Sequence, residues 1–449
     1  MPKGKKRSKG KGKGKAKGKG TRGKGKNRGK KAVLVGADGD TKKLFKAYDR
    51  NCALMNSQMS PGLKKLLRAA AEENRIVTKL ILESVPVEKE GDLPVLFEPL
   101  MASLRQERYK HVKDIHVWDY PLSYEDVASL ALFLEKSVYP VRLLELLDCL
   151  LDAQTIPRLA KTFYGCERLT TLVLDYNEFG DEGCKILCNG LENNVSLLSL
   201  SLCYCNLGIP SGSCLGHIIS TTAVRELFLD GNELECEGTI ELIKLCVDQA
   251  DIEAYEREEE AKKKEEEKAL LEKVRKSSST SGIETAVSGS DMDQTDAISL
   301  TGGGKKKNKK GKGKRKKKKK APPSPPPVGP WLHKLHLADN GIDGYSKGGT
   351  FAPVICMRLF KKLLMNSKCL VELDVEDNCI GELGGREVLE GLTRRKEAKL
   401  GGCKARTTHK MTPDTFKAIV SKRRERGEEK KERKERRAKR RRNNGPLTQ

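Results

Sequence analysis

The sequence predicts an α/β solenoid in which short parallel strands line the inside and helices lie outside. Two observations lead to this prediction. The pattern L-x-x-L-x-L-x-x-N/C-x-L recurs at a nearly constant interval between residues 112 and 234, with copies that begin at positions 112, 141, 169, 197 and 224. Each copy is followed by apolar residues at helical spacing, such as Ile186, Leu187 and Leu191. A unit of one strand and one helix buries its apolar faces only when it stacks on neighbouring units.

Eight copies of the pattern are present, and six of them match it closely. They are VTKLILESVPV from 77, VKDIHVWDYPL from 112, VRLLELLDCLL from 141, LTTLVLDYNEF from 169, LLSLSLCYCNL from 197, VRELFLDGNEL from 224, LHKLHLADNGI from 332 and LVELDVEDNCI from 370. The central L-x-L of each copy alternates with period two, as a strand with one buried face requires. Eight strands are therefore predicted.

An Asn or a Cys follows the predicted strand in six of the copies, at the point where the chain must turn. A buried side chain at that point can form hydrogen bonds with the neighbouring backbone, whose polar groups need partners when they are buried. The predicted structural turn residues are Cys149, Asn177, Cys205, Asn232, Asn340 and Asn378.

A repeat of about 28 residues, with a helix in each unit and Cys alternating with Asn at the turn, resembles the ribonuclease-inhibitor-like leucine-rich repeat proteins. The resemblance covers residues 77–248 and 331 to about 392. It implies a horseshoe with parallel strands on its concave side and helices on its outer side. It does not imply one function, because proteins of this class serve many.

The spacing of the copies also predicts the domain organisation. The copy that begins at Val224 is followed by the next one only at Leu332, and residues 251–330 account for the excess over one repeat. One solenoid with an insertion explains this spacing, and two separate repeat domains are the alternative. The predicted segments are a disordered Gly/Lys-rich tail (1–40), a helical cap (41–76), the solenoid (77–250 and 331–392), the insertion (251–330), a C-terminal cap region (393–420) and a basic tail (421–449).

Positive charge is concentrated in three tracts, residues 1–31, 305–320 and 421–442. Together the tracts carry +38, whereas the whole chain carries +26, so the rest of the protein is net −12. Such tracts are expected to be disordered. They suit anchoring to a polyanion or nuclear targeting. They also suit binding to acidic protein tails or to the chain's own acidic face. With few aromatic residues among them, any nucleic-acid binding is expected to be weakly selective and salt-dependent.

Acidic and aromatic side chains are predicted on the concave face, at the strand positions that flank the buried leucines. A protein partner is expected there, because Trp and Tyr within a charged rim are typical of binding hot spots. Ordinary solvated strand positions are the alternative interpretation. The predicted residues are Asp114, Trp118, Asp119, Glu145, Asp148, Asp175, Tyr176, Tyr204, Glu226, Phe228, Asp230, Asp339, Glu372, Asp374 and Glu376.

No motif predicts catalysis, a cofactor or a metal site. The sequence contains no GxxxxGK[ST], GxSxG or HExxH, and its fourteen Cys form no CxxC pair. No apolar run reaches the roughly 18 residues of a membrane span. We therefore expect a non-enzymatic intracellular protein, with the nucleus or nucleolus favoured over the cytoplasm and the cytoskeleton, including the cilium.

Two functions follow from these observations. The leading hypothesis is an interaction scaffold that holds a protein partner on its acidic, aromatic concave face, while the basic tracts anchor the complex to a polyanion. The alternative is an RNA-associated nuclear or nucleolar protein whose tails carry the function. A remote alternative, regulation of a small GTPase, comes from the resemblance, because Ran GTPase-activating proteins belong to the same repeat class.

Overall fold

The computed structural model describes residues 39–86, 92–136, 138–278 and 327–422. Within these residues nine strands form one sheet, in which every neighbouring pair is parallel and the order across the sheet equals the order along the chain. Consecutive helices pack against one another as a second layer. The predicted α/β solenoid, with inner strands and outer helices, is confirmed.

The elements of the described residues are numbered in chain order. The strands are β1 (Lys79–Glu83), β2 (Asp114–Trp118), β3 (Leu143–Leu147), β4 (Thr171–Val173), β5 (Ser199–Ser201), β6 (Glu226–Phe228), β7 (Lys334–His336), β8 (Glu372–Val375) and β9 (Lys404–Thr407). The helices are α1 (Asp40–Leu54), α2 (Pro61–Glu72), α3 (Glu98–Gln106), α4 (Tyr124–Leu134), α5 (Ile156–Phe163), α6 (Gly180–Leu191), α7 (Ile209–Thr221), α8 (Glu235–Ser278), α9 (Ala352–Asn366) and α10 (Gly381–Glu397).

Each strand buries alternate side chains, because the L-x-L core repeats with period two. In β3, Leu144 and Leu146 are fully buried, whereas Glu145 lies on the opposite, concave side of the sheet. The register keeps equivalent residues side by side, so that Leu144 pairs with Ile115 and Leu172. The leucines of successive repeats thus form one continuous core between sheet and helices.

The sheet continues directly across the predicted insertion. In β6 and β7, Leu227 pairs with Leu335 and Phe228 pairs with His336. Helix α8 leaves the solenoid in this region, and its side chains from residue 260 to residue 273 are exposed. The tracts at 1–31 and 305–320, and almost all of the tract at 421–442, lie outside the described residues.

Strand β9 was not predicted, because residues 393–420 were assigned to a C-terminal cap region. Ala405 and Thr407 occupy the inward positions where other repeats have larger apolar residues, and both are buried. They pair with Leu373 and Val375 of β8. A Lys-Ala-Arg-Thr segment does not match the leucine pattern, so the pattern could not reveal this strand.

The turn residues form a ladder of hydrogen bonds inside the solenoid. The side-chain Oδ1 of Asn177 accepts hydrogen bonds from the backbone N–H groups of Cys149 and Leu151, both at 3.0 Å. Its Nδ2 donates to the carbonyl oxygens of Leu146 and Leu174, both at 2.8 Å. One buried amide thus satisfies polar backbone groups of two successive repeats.

The ladder continues along the solenoid, with one incomplete rung. Asn232 and Asn378 make the same bonds to the repeats before them. The Cys205 thiol lies 3.2 Å from the Leu174 carbonyl oxygen, to which it donates. Asn340, which follows the insertion, donates from Nδ2 to two carbonyl oxygens, but its Oδ1 has no partner among the described residues.

We predict that Asn177→Ala lowers the free energy of unfolding by about 3 kcal/mol, because it leaves buried N–H and C=O groups without partners. Urea denaturation followed by circular dichroism measures the effect. Asn177→Cys is the matched control, since Cys149 and Cys205 occupy this position in the neighbouring repeats. Asn177→Cys should lower the free energy of unfolding less than Asn177→Ala does. An Asn177→Ala variant as stable as the wild type would contradict the role of the ladder.

Candidate protein-binding face

The concave face consists of the side chains of β1 to β9 that point away from the core, together with the residue that precedes each turn. The fifteen predicted residues divide between these two positions. Those on the strands or directly after them are Asp114, Trp118, Glu145, Asp175, Glu226, Phe228, Asp230, Glu372, Asp374 and Glu376. Those that precede the turn are Asp119, Asp148, Tyr176, Tyr204 and Asp339.

The residues that precede the turns share a left-handed backbone conformation, and we call them the turn row. Their φ angles lie between 50° and 70°. Asp tolerates this region better than most residues, and Gly adopts it freely, so backbone geometry accounts in part for the acids here. The same geometry does not account for tyrosines. The turn row comprises Asp119, Asp148, Tyr176, Tyr204, Gly231, Asp339 and Asp377.

Tyr176 and Tyr204 stack on each other in the middle of the turn row. Their ring centroids are 4.7 Å apart and the rings are inclined by only 8°. The residues are 50% and 43% exposed, respectively. A bulky residue at positive φ costs about 1 kcal/mol or more, and such strain is concentrated at functional sites. Core packing does not explain this exposed pair.

Gly231 supports the tyrosine pair in the next repeat. Its φ is 70°, and a Cβ atom placed on it would lie 2.1 Å from Cε1 of Tyr204. Only glycine therefore satisfies both the backbone conformation and the ring that packs against it. The Tyr204 ring is held between Tyr176 on one side and the Gly231 backbone on the other.

Carboxylates without cationic partners lie beside the tyrosines. Among the described residues, no Lys or Arg forms a salt bridge with Asp148, Asp175 or Asp339. Asp175 Oδ1 accepts a hydrogen bond from the Cys203 N–H at 2.9 Å. Burial raises the pKa of the Asp175 carboxyl above its ordinary value, and the nearby charges of Glu145 and Asp230 add to the rise.

Two of the predicted residues bond to each other. Trp118 Nε1 donates to Glu145 Oε1 at 2.6 Å, and His116 Nδ1 lies 3.0 Å from Glu145 Oε2. Period two places His116 on this face, although the predicted set omitted it. These bonds hold Glu145 and the Trp118 ring in fixed positions between β2 and β3.

The C-terminal part of the face carries its own cations. Glu226 Oε1 lies 2.9 Å from Lys334 Nζ, and Arg406 Nη1 donates to Asp374 Oδ2 at 2.7 Å. Asp374 is only 2% exposed, so it does not offer a free carboxylate as the sequence had indicated. Sequence reasoning missed Arg406 because it lies on β9, so the predicted acidic face is partly neutralised in this region.

Glu372 belongs to the same neutralised region. Its carboxylate pairs with Lys404 of β9 and lies 3.7 Å from Arg406 Nη2. Burial alone would raise the pKa of Glu372, but the hydrogen bond and charge of Lys404, helped by His336 and Arg406, hold it below its ordinary value. This carboxylate therefore stays ionised and paired at neutral pH.

Three further features of the described part of the chain concern metals, membranes and thiols. There, no group of three or more His, Cys, Asp or Glu residues is arranged to hold a metal ion. No described helix is both long enough and apolar enough to cross a membrane. All fourteen Cys are free thiols, and burial raises the pKa of Cys149 to about 12, so this thiol is protonated at neutral pH.

The repeated strand and helix, together with the ladder of turn residues, define a solenoid of the leucine-rich repeat type. The family described as Leucine Rich repeat matches residues 165–188 and 366–389.

Three curated relatives extend the comparison. The chain is 33% identical over 133 residues to NACHT, LRR and PYD domains-containing protein 4B of Mus musculus, covering 28% of this chain and 15% of the relative. It is 34% identical over 91 residues to protein 1a of the same series from Mus musculus, covering 20% and 8%. It is 32% identical over 114 residues to protein 1a allele 1 of Rattus norvegicus, covering 25% and 9%. The chain thus spans only a small part of the length of each of these relatives.

Leucine-rich repeat solenoids use the extended concave surface that their stacking creates for binding. Protein–protein interaction is therefore the general function that this class indicates.

We predict that Gly231→Ala both destabilises the protein and disturbs the tyrosine pair. The alanine incurs the left-handed strain, about 1 kcal/mol, and its methyl group pushes the Tyr204 ring aside. Gly381→Ala is the matched control, because Gly381 has φ 66° and nothing within 4 Å of an added Cβ. Near-ultraviolet circular dichroism should change in Gly231→Ala alone. Equal spectra would show that Tyr204 does not depend on Gly231.

Asp175→Asn should stabilise the protein at neutral pH by roughly 0.5–1 kcal/mol, as removal of an unfavourable charge commonly does. Because its pKa is raised in the folded state, ionisation of Asp175 costs stability as pH rises from the unfolded-state pKa to the folded-state pKa. The gain should therefore disappear in acid, where the wild-type carboxyl is protonated. Thermal unfolding of both proteins across pH checks this. A variant less stable than wild type at neutral pH would contradict the assignment.

Proposed function

We propose that the protein is a non-enzymatic scaffold that binds a protein partner on its concave face, centred on the Tyr176–Tyr204 pair. The single observation that carries the proposal is this exposed, stacked pair at positive φ. Tyrosines dominate binding energy at protein interfaces, since they bury a large area with few rotatable bonds. Here the stack also fixes the rings before a partner arrives, which reduces the entropy lost on binding.

The surroundings of the pair suit an interface. Asp148 and Asp339 lie in the turn row on either side of the tyrosines, and Asp175 directly precedes Tyr176. A polar rim around aromatic anchors is the usual anatomy of a protein interface.

The basic tracts have a separate part in this proposal. Their charge of +38 suits attachment of the bound complex to a polyanion, or transport into the nucleus. Sequence composition alone supports this part.

Affinity capture with the full-length chain tests the proposal. The double variant Tyr176→Ser/Tyr204→Ser should lose captured protein by about tenfold or more, as expected when hot-spot residues are removed. Tyr164→Ser is the matched control, because Tyr164 is 88% exposed at the end of α5, on the helical layer. Nuclease treatment removes proteins that are bridged by nucleic acid, and quantitative mass spectrometry measures the remainder.

The outcome distinguishes this proposal from its alternative. Equal capture by the wild type, the double variant and the Tyr164→Ser control would contradict binding at the tyrosine pair. If nuclease abolished capture by all three proteins alike, the RNA-associated function of the basic tracts would replace it.

A further inference from the structure

We infer that the concave face recognises an arginine of its partner, whose guanidinium stacks on Tyr176 and pairs with the carboxylate of Asp148, while the nearby charge of Asp175 adds to the attraction. The inference rests on the proposed function, since it names the chemistry of the partner that this face binds. Three observations on neighbouring repeats support it.

The first observation is the free side of the tyrosine stack. One face of the Tyr176 ring lies against Tyr204, which belongs to the following repeat. Its other face is therefore on the side of the preceding repeat, where the turn row has Asp148. Tyr204 has no such free side, because Gly231 lies against it. A planar cation placed on Tyr176 would thus meet an aromatic face and a carboxylate together.

The second observation is the uneven distribution of charge. Within the described residues, the ion pairs that Lys or Arg side chains make on this face all join strands of the group β6 to β9. The carboxylates around β3 and β4 have no such partner. Asp175 is partly buried with Glu145 and Asp230 nearby, an arrangement of like charges that a cation from outside would relieve.

The third observation is that the chain already contains a cation in a similar setting. Lys334 Nζ lies 2.9 Å from Glu226 Oε1 and 5.9 Å from the centre of the Phe228 ring. An aromatic ring and a carboxylate thus hold a cation in this part of the face. Around Tyr176 the ring and the carboxylates are present and the cation is absent among the described residues.

Arginine fits the central arrangement better than lysine. The guanidinium is planar, so it lies flat on a ring while its N–H groups point sideways to carboxylates. The ammonium group of lysine is not planar, so it cannot lie flat on a ring and at the same time direct N–H groups sideways to a carboxylate. We therefore expect a preference for arginine of roughly fivefold to tenfold over lysine.

The test uses the full-length chain and two fluorescein-labelled peptides of equal length, one of alternating Arg and Gly and one of alternating Lys and Gly. Fluorescence anisotropy should show tighter binding of the arginine peptide. Tyr176→Leu should abolish the preference, whereas Tyr176→Phe should keep it, because Phe retains the ring.

The charge variants are matched by backbone conformation. Asp148→Asn should weaken arginine binding several-fold, and Asn tolerates the left-handed conformation of this position. Asp377→Asn removes the same charge from the same turn row. Gly231 and Asp339 separate this position from the tyrosine pair. This variant should leave the affinity nearly unchanged, which separates local pairing from general attraction.

Equal affinities for the two peptides, or a preference that survives Tyr176→Leu, would overturn the inference. Equal effects of Asp148→Asn and Asp377→Asn would also overturn it, because binding would then reflect net charge alone. If the Tyr176→Ser/Tyr204→Ser variant loses its captured partner while no arginine preference exists, partner binding stands and the arginine inference falls. If capture is also unchanged, the proposed function falls as well.

Discussion

Six repeats of this solenoid depend on a buried Asn or Cys side chain that bonds to the backbone where the strand ends. A turn at that point directs N–H and C=O groups into the interior, where an unpaired group costs stability. Asn177 shows the solution most clearly, with bonds to Cys149, Leu151, Leu146 and Leu174. The same turn places the preceding residue at positive φ, and this conformation presents Tyr176 to the solvent. The fold and the candidate site therefore share one local constraint.

Most of the fold could be predicted because leucine burial imposes a strict spacing on sequence. Where a strand has one buried face and a helix must return over it, the apolar residues can occupy few positions. Strand β9 escapes this rule, because Ala405 and Thr407 are small enough to be buried without following the leucine pattern. At the end of a solenoid a core-facing position borders fewer repeats. Packing therefore constrains the amino-acid composition of the terminal units less.

The candidate site was less predictable than the fold, because its properties depend on relations between repeats. Period two alone identifies the face on which Asp374 lies, but not that of Tyr204, which belongs to the turn. It does not show that Tyr204 stacks on Tyr176, which requires two successive turns with the same φ. Nor does it show that Arg406 neutralises Asp374, since that pair depends on the register between β8 and the unpredicted β9. The net charge of a surface thus depends on the tertiary structure.

The pairing of β6 with β7 joins two strands that are far apart in the sequence. Contacts such as Leu227 with Leu335 set the register between these strands, together with hydrogen bonds from the N–H groups of Gly329 and His333 to the carbonyl oxygens of Thr222 and Arg225. The sheet is continuous at this junction, although Asn340 Oδ1 has no hydrogen-bond partner among the described residues. Since closure entropy grows only slowly with loop length, sequence can accumulate in the connection with little effect on the repeats. A longer or differently charged connection would therefore leave the stacking of the repeats largely unchanged.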